Sequence, residues 1–138
     1  MKFIKLIKDI NSPTTAYKND AGIDLYSPID YNLIPRERKQ IKLGLSIEIQ
    51  EDEVAIISER SGMAIKYGIT SIGNIIDSGY RGEISVILHN LGEHIFEIKK
   101  NDKIAQIVIC KLGNRDIKEV KELSPSERDK KAHYSSNK

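Results

Sequence analysis

The run Ser58-Glu59-Arg60-Ser61-Gly62 collects residue types that bind phosphate. Arg60 offers a bidentate cation, Ser61 a hydroxyl donor, and Gly62 a backbone that an anion can approach closely. Residues 61–67, Ser-Gly-Met-Ala-Ile-Lys-Tyr, lack strand alternation and include good helix formers, and Gly68 suits the position just past a helix end. A short helix opening at Ser61 or Gly62 would turn its unpaired N–H groups toward the same anion. Taken alone, the segment reads better as a serine-capped helix beside a surface arginine. Three other clusters carry potential chemistry. Ile75-Ile76-Asp77-Ser78-Gly79-Tyr80-Arg81-Gly82 sets a carboxylate after an apolar pair, then a tight turn and an aromatic ring. Ala21-Gly22-Ile23-Asp24-Leu25 sets a second carboxylate where a turn enters a strand, and Asn101-Asp102 marks a corner tolerant of left-handed backbone. Each has a plain structural account as well: Asp77 as an Asx-turn residue, Tyr80 as strand packing, Arg81 as surface.

The elements that would position these groups are strands. Isoleucine supplies 24 residues against 9 Leu and 4 Val, and β-branched chains favour pleated, half-buried surfaces. Ile41, Leu43, Leu45, Ile47 and Ile49 alternate with Lys42, Gly44, Ser46 and Glu48, which predicts one half-buried strand. Ile84, Val86 and Leu88 repeat the pattern, as do residues 95–98; residues 104–110 read as a more fully buried strand, and 3–6 as a short opening one. Turn residues punctuate them at 19–22, 33–36, 50–53, 91–92 and 100–102, the spacing of a sandwich, jelly roll or barrel.

Composition narrows the function. The 138 residues suit one domain, whose core hides roughly two-thirds of the unfolded surface without staples. The single Cys110 excludes an internal disulfide framework and a cysteine zinc knot, and reads as a small residue closing a buried strand. Lys and Arg number 22 against 20 Asp and Glu, a net +2 that is not the signature of a protein coating nucleic acid. No apolar run is long enough to span a membrane, and Lys2, Lys5 and Lys8 break the opening segment, so a soluble, cytoplasmic or otherwise intracellular chain is expected. From Lys111 onward the sequence carries 8 basic and 5 acidic residues and few large apolar ones, a mobile basic arm by composition. His89, His94 and His133 show no metal-ligand spacing.

Taken in order, AGIDLYS (21–27), ERSGMAIKYGI (59–69), GNIIDSGYRGEISVIL (73–88) and NDKIAQIVI (101–109) resemble the first four signature motifs of the trimeric dUTPases. The resemblance implies an all-β, distorted jelly-roll (β-clip-like) subunit over 1–123 with one short helix, and an arm over 124–138 that closes over an active site. It implies a homotrimer with active sites shared across interfaces. The reaction implied is hydrolysis of dUTP to dUMP and pyrophosphate, which limits uracil in DNA and supplies dUMP for thymidylate. Mg2+ would ride on substrate phosphates and water, with no direct protein ligand. Carried over by residue, Asp77 is similar to the carboxylate that deprotonates the attacking water, and Asp24 to one that organises the site from behind. Arg60, Ser61, Gly62 and Gln106 resemble the phosphate cradle. Asn74, Ile75, Ile76 and the main chain near Ser85 resemble the hairpin that pairs with uracil, and Tyr80 the ring beneath deoxyribose.

The match departs in places. Gly79 stands where the pattern often has a second acid, which predicts altered turn flexibility, and Asn101 replaces a corner glycine. The arm lacks the family's glycines: Arg128 matches its arginine, and His133 or, one residue on, Tyr134 stands for the ring that stacks on uracil. Two other readings are a dUTP-binding sensor with slow turnover, and a related dCTP deaminase, which would need a glutamate in the pocket.

Overall fold

The computed structural model describes residues 1–126, so Arg128, His133 and Tyr134 lie outside the described residues. Its strands are β1 (Lys2–Lys5), β2 (Ile23–Tyr26), β3 (Tyr31–Leu33), β4 (Arg38–Lys42), β5 (Leu45–Glu48) and β6 (Glu53–Ser58). After helix α1 (Ser61–Tyr67) come β7 (Ile69–Ile72), β8 (Ile75–Asp77), β9 (Ser85–Asn90), β10 (Phe96–Ile98) and β11 (Lys103–Lys111). The described residues are all-β apart from that helix. Its four antiparallel sheets run β2-β11-β6-β8, β4-β9-β7, β1-β5 and β10-β3. This is the distorted jelly roll that the motifs imply.

Alternation in sequence becomes alternation in burial. β9 reads half-buried and buried in turn, with Val86, Leu88 and Asn90 inward, and β6 turns Ala55 and Ile57 the same way. Leu25, Leu33, Ile41, Leu45, Ile57, Ile69, Leu88, Ile98, Ile104 and Ile107 join one continuous core fed from all four sheets. Non-polar area removed from water stabilises at about 25 cal/mol per Å2, so this shared core is what ties short strands into one body.

The predicted strand 41–49 divides in two. Gly44 takes a left-handed φ of 64°, ending β4 and starting β5, which then pair with β9 and β1 respectively. The Gly44 carbonyl accepts from the N–H groups of Leu6 (2.7 Å) and Ile7 (3.2 Å), and its own N–H donates to Glu83 Oε1 at 3.0 Å. A glycine in an alternating pattern was the available signal. Cys110 is half-buried rather than a closed core residue. Asn101 does adopt a left-handed corner, φ 69°, and donates to the Ser27 carbonyl at 2.7 Å. Gly79 is not left-handed, and a Cβ there would meet nothing within 4 Å, so its turn does not demand glycine.

Gly44→Ala combines a positive φ with a Cβ only 2.8 Å from the Ile7 side chain. It should lower unfolding free energy by about 1–3 kcal/mol in urea titration. A loss below about 0.5 kcal/mol would show that the β4–β5 corner tolerates a side chain.

Candidate functional site

Helix α1 opens as the phosphate reading requires. Arg60 is its N-cap in extended conformation, φ −87° and ψ 131°, and no side chain caps the first turn. Ser61 therefore is not the cap, and its hydroxyl and Gly62 are exposed at the helix mouth. Gly68 closes the helix at φ 69°, donating to the Ala64 carbonyl at 3.0 Å. A cleft of about 500 Å3 lies at this mouth, lined by Asp20, Gly22, Asp24, Arg60, Ser61, Gly62 and Gln106 among others.

Asp24, on β2, is 7% exposed, and both its oxygens are engaged. Oδ1 meets Arg60 Nε at 3.1 Å and Oδ2 meets Lys103 Nζ at 2.7 Å. That hydrogen bond holds the Lys103 ammonium above its usual pKa. Gln106, opposite Asp24 in the β2–β11 ladder, donates from Nε2 to the Glu59 carbonyl at 3.0 Å. Gly22 allows this, since a Cβ there would fall 2.0 Å from Gln106 Oε1. Beneath the cradle, Glu59 Oε2 accepts from the Ser71 hydroxyl at 3.0 Å.

A second, smaller cleft of about 200 Å3 gathers Ile75, Ile76, Asp77, Tyr80, Glu83, Ile84 and Ser85. It lies against β8, the edge strand of its sheet, where outward main-chain N–H and C=O groups have no ladder partner. Asp77 ends this strand with its carboxylate exposed, and no cation among the described residues pairs with it. The Tyr80 N–H donates to the Asp77 carbonyl at 3.0 Å, and its hydroxyl donates to the Glu83 carbonyl at 3.1 Å. The ring covers Gly82, where a Cβ would collide with the hydroxyl at 2.4 Å. Ser85 Oγ accepts from Gln40 Nε2 at 2.8 Å. Asn74 Oδ1 is buried with no donor among the described residues.

The two clefts share no lining residue. Asp77 stands opposite Val54 and Gln106 opposite Ser58, on opposite edges of β6. At about 3.3 Å per residue and 4.8 Å between strands, those backbones are roughly 16 Å apart. Among the described residues no three His, Cys, Asp or Glu side chains converge as metal ligands. Asp20 and Asp24 are the two carboxylates that line the larger cleft.

The dUTPase family model matches residues 8–137. The chain belongs to the dUTPase family. It is 47% identical over 130 residues to the deoxyuridine 5'-triphosphate nucleotidohydrolase of Clostridium tetani, covering 92% of this chain and 90% of that one. It is 34% identical to the mouse enzyme of the same name, over 93% of this chain and 79% of that one. A variant of the Staphylococcus bacteriophage 80alpha dUTPase, solved with dUpNHpp, superposes with a TM-score of 0.91 at 27% identity, over 99% of this chain and 97% of that one. The dUTPase of S. aureus phage phi11, described with a structural Mg(II) ion, shares the fold at a TM-score of 0.84 and 24% identity, over 90% of this chain and 98% of that one.

In this chain the structure divides the expected residues between two places. Arg60, Ser61, Gly62, Gln106 and Asp24 meet at the larger cleft, while Ile75, Ile76, Asp77, Tyr80 and Ser85 meet at the smaller. Asn74 lies just before β8, where its carbonyl accepts from the Ile57 N–H at 2.8 Å. Sequence reasoning missed Lys103 and Asp20, and gave Glu59 no role. Lys103 was hidden by an irregularity in β11: the register shifts between Lys103 and Ala105. The available signal was the adjacent buried pair Ile104-Ala105, which breaks alternation.

Glu59 has a lowered pKa, chiefly from its own backbone N–H, with burial opposing and the Ser71 hydroxyl and N–H adding to the effect. A carboxyl more acidic folded than unfolded stabilises at neutral pH, and that share disappears as pH falls through the folded value. Glu59→Gln should therefore lower stability at pH 7 and flatten the acid limb below about pH 4.3, the ordinary glutamate value. An unchanged acid limb in pH-dependent urea denaturation would exclude this role.

Proposed function

We propose that this chain hydrolyses dUTP to dUMP and pyrophosphate in a homotrimer whose sites are each assembled from more than one copy. The observation that carries the reading is the contrast between its two site aspartates. Asp24 is buried, with one oxygen on Arg60 and the other on Lys103, so neither is left to meet an attacking water. Asp77 is exposed, unpaired among the described residues, and stands at the mouth of the hairpin cleft. Asp77 is thus the available base for a water attacking the α-phosphorus, a role typically worth ~10²–10⁴ in rate. Pyrophosphate departs as that water bonds.

Uracil fits the smaller cleft, where the free edge of β8 supplies alternating donors and acceptors. Such a hydrogen-bonding site can discriminate between bases by ~10⁴ or more. Tyr80, braced against Gly82, would lie beneath deoxyribose and leave no room for a ribose hydroxyl. The triphosphate fits the mouth of α1, with Arg60, Ser61, Gly62 and Gln106 as donors. Asp20, the other carboxylate of the larger cleft, fits Mg2+ as a partner of its water shell rather than as part of a closed ligand set. The ion would neutralise phosphate charge.

A span of roughly 16 Å between Asp77 and Gln106 supports a site completed by another copy, since β6 is bonded on both edges and cannot fold to close that gap. The family match through residue 137 supports an arm over 124–138 belonging to the same module, with Arg128 on phosphate and His133 or Tyr134 on uracil. A deaminase would need a free glutamate in the pocket. Glu83 lines it, but accepts from the Gly44 N–H and lies 3.6 Å from Lys42 Nζ.

Asp77→Asn should cut turnover of dUTP by at least about 10²-fold while retaining binding of dUpNHpp. Wild-type protein should release pyrophosphate from dUTP far faster than from dTTP, dCTP or UTP. Equal turnover of all four, or full activity in Asp77→Asn, would reject the assignment. Mixing inactive Asp77→Asn and Arg60→Ala chains after unfolding together should restore about one quarter of the sites if the two residues come from different copies. No recovery would locate both in one chain.

A further inference from the structure

Lys103 is on the phosphate face of its sheet because of an irregularity in β11. In an unbroken antiparallel ladder, cross-strand partners share a face, and a one-residue shift sends a side chain to the other. Gln106 opposes Asp24 and Ala105 opposes Leu25, so regular pairing would put Ile104 opposite Tyr26 and Lys103 on the far face. Instead the register shifts, Lys103 opposes Tyr26, and both Ile104 and Ala105 are buried. Such bulges re-aim a side chain. Here the re-aimed group is an ammonium, 2.7 Å from the carboxylate that Arg60 also contacts.

That arrangement answers an electrostatic problem. Arg60 must offer positive charge to a polyanion, yet its Nε lies 3.1 Å from Asp24. Between those two residues alone no net charge remains, and an Arg60 turned toward phosphate would leave Asp24, only 7% exposed, without a counter-ion. Lys103 adds a second cation at Asp24: two positive groups against that carboxylate leave the trio one positive charge, against which stands Asp20, the other carboxylate lining the cleft. Lys103 does not line the phosphate cleft; it lines the neighbouring one, which shares Arg60 with it. Among the described residues Asp24 is its only ion-pair partner.

We propose that Lys103 is a positioning residue, which neutralises Asp24 so that the charge of Arg60 is available to the triphosphate. The inference rests on the dUTP reading above and deepens it. The test compares Lys103→Met and Lys103→Arg with wild type in binding of dUpNHpp and of dUMP, in the kcat and KM of dUTP hydrolysis, and in Tm. Lys103→Met should weaken dUpNHpp about tenfold and dUMP less than about threefold, raise KM more than it lowers kcat, and leave Lys103→Arg within about threefold of wild type. A dUpNHpp affinity within twofold of wild type in Lys103→Met would overturn the proposal. So would equal losses for dUpNHpp and dUMP, or a Lys103→Arg variant as impaired as Lys103→Met. Failure of wild-type protein to bind dUpNHpp at all would instead overturn the dUTP reading beneath it.

Discussion

Strand β6 is hydrogen-bonded along both edges, to β11 on one side and β8 on the other. A strand held this way cannot slip without breaking two ladders and exchanging its buried face for its exposed one. Everything chemical in the chain hangs from its two ends. The Ser58 end leads into Arg60 and α1 and stands beside Gln106; the Val54 end stands beside Asp77. The rigidity that keeps each half-site in order also keeps the halves apart. On the proposed reading, a second copy would unite them while each body keeps its own packing.

Two aspartates of the same ordinary chemistry thus acquire different duties from their surroundings. Asp24 lies inside a ladder, faces two cations and has almost no contact with water. Its charge is structural, an anchor for cationic side chains. Asp77 ends an edge strand of three residues, and among the described residues no cation pairs with its carboxylate. Only the second leaves its carboxylate exposed, which is why the proposed function gives it the substrate. Polarity of position, rather than residue type, separates scaffold from reagent.

Much of this was readable from the amino-acid order because local rules and tertiary packing agree. The helix over 61–67, with Gly68 as its terminator, was written in a non-alternating run followed by glycine, and the corner at Asn101 in its left-handed tolerance. The alternation of β9 survived because one of its faces packs on the core. Gly44 shows where pattern alone misleads: the isoleucine and leucine spacing continues across a corner, since both sides of the break face the same core. Lys103 shows the opposite failure. Its importance depends on a shift in pairing with a strand nearly eighty positions away, and no local period records that. Nor can the sequence of one chain state that Asp77 and Gln106 stand on different edges of a sheet.

The rear of α1 has a consequence of its own. Gly68 and Gly92 touch main chain to main chain: a methyl on the first would lie 2.9 Å from the Gly92 nitrogen, and one on the second 2.4 Å from the Tyr67 carbonyl oxygen. The Leu91 N–H seals the junction by donating to the Gly68 carbonyl at 2.9 Å. The helix is in effect welded at its tail while its head faces solvent. If the proposed triphosphate docks there, it would meet dipoles already aimed, and little of the attraction would be spent on turning them.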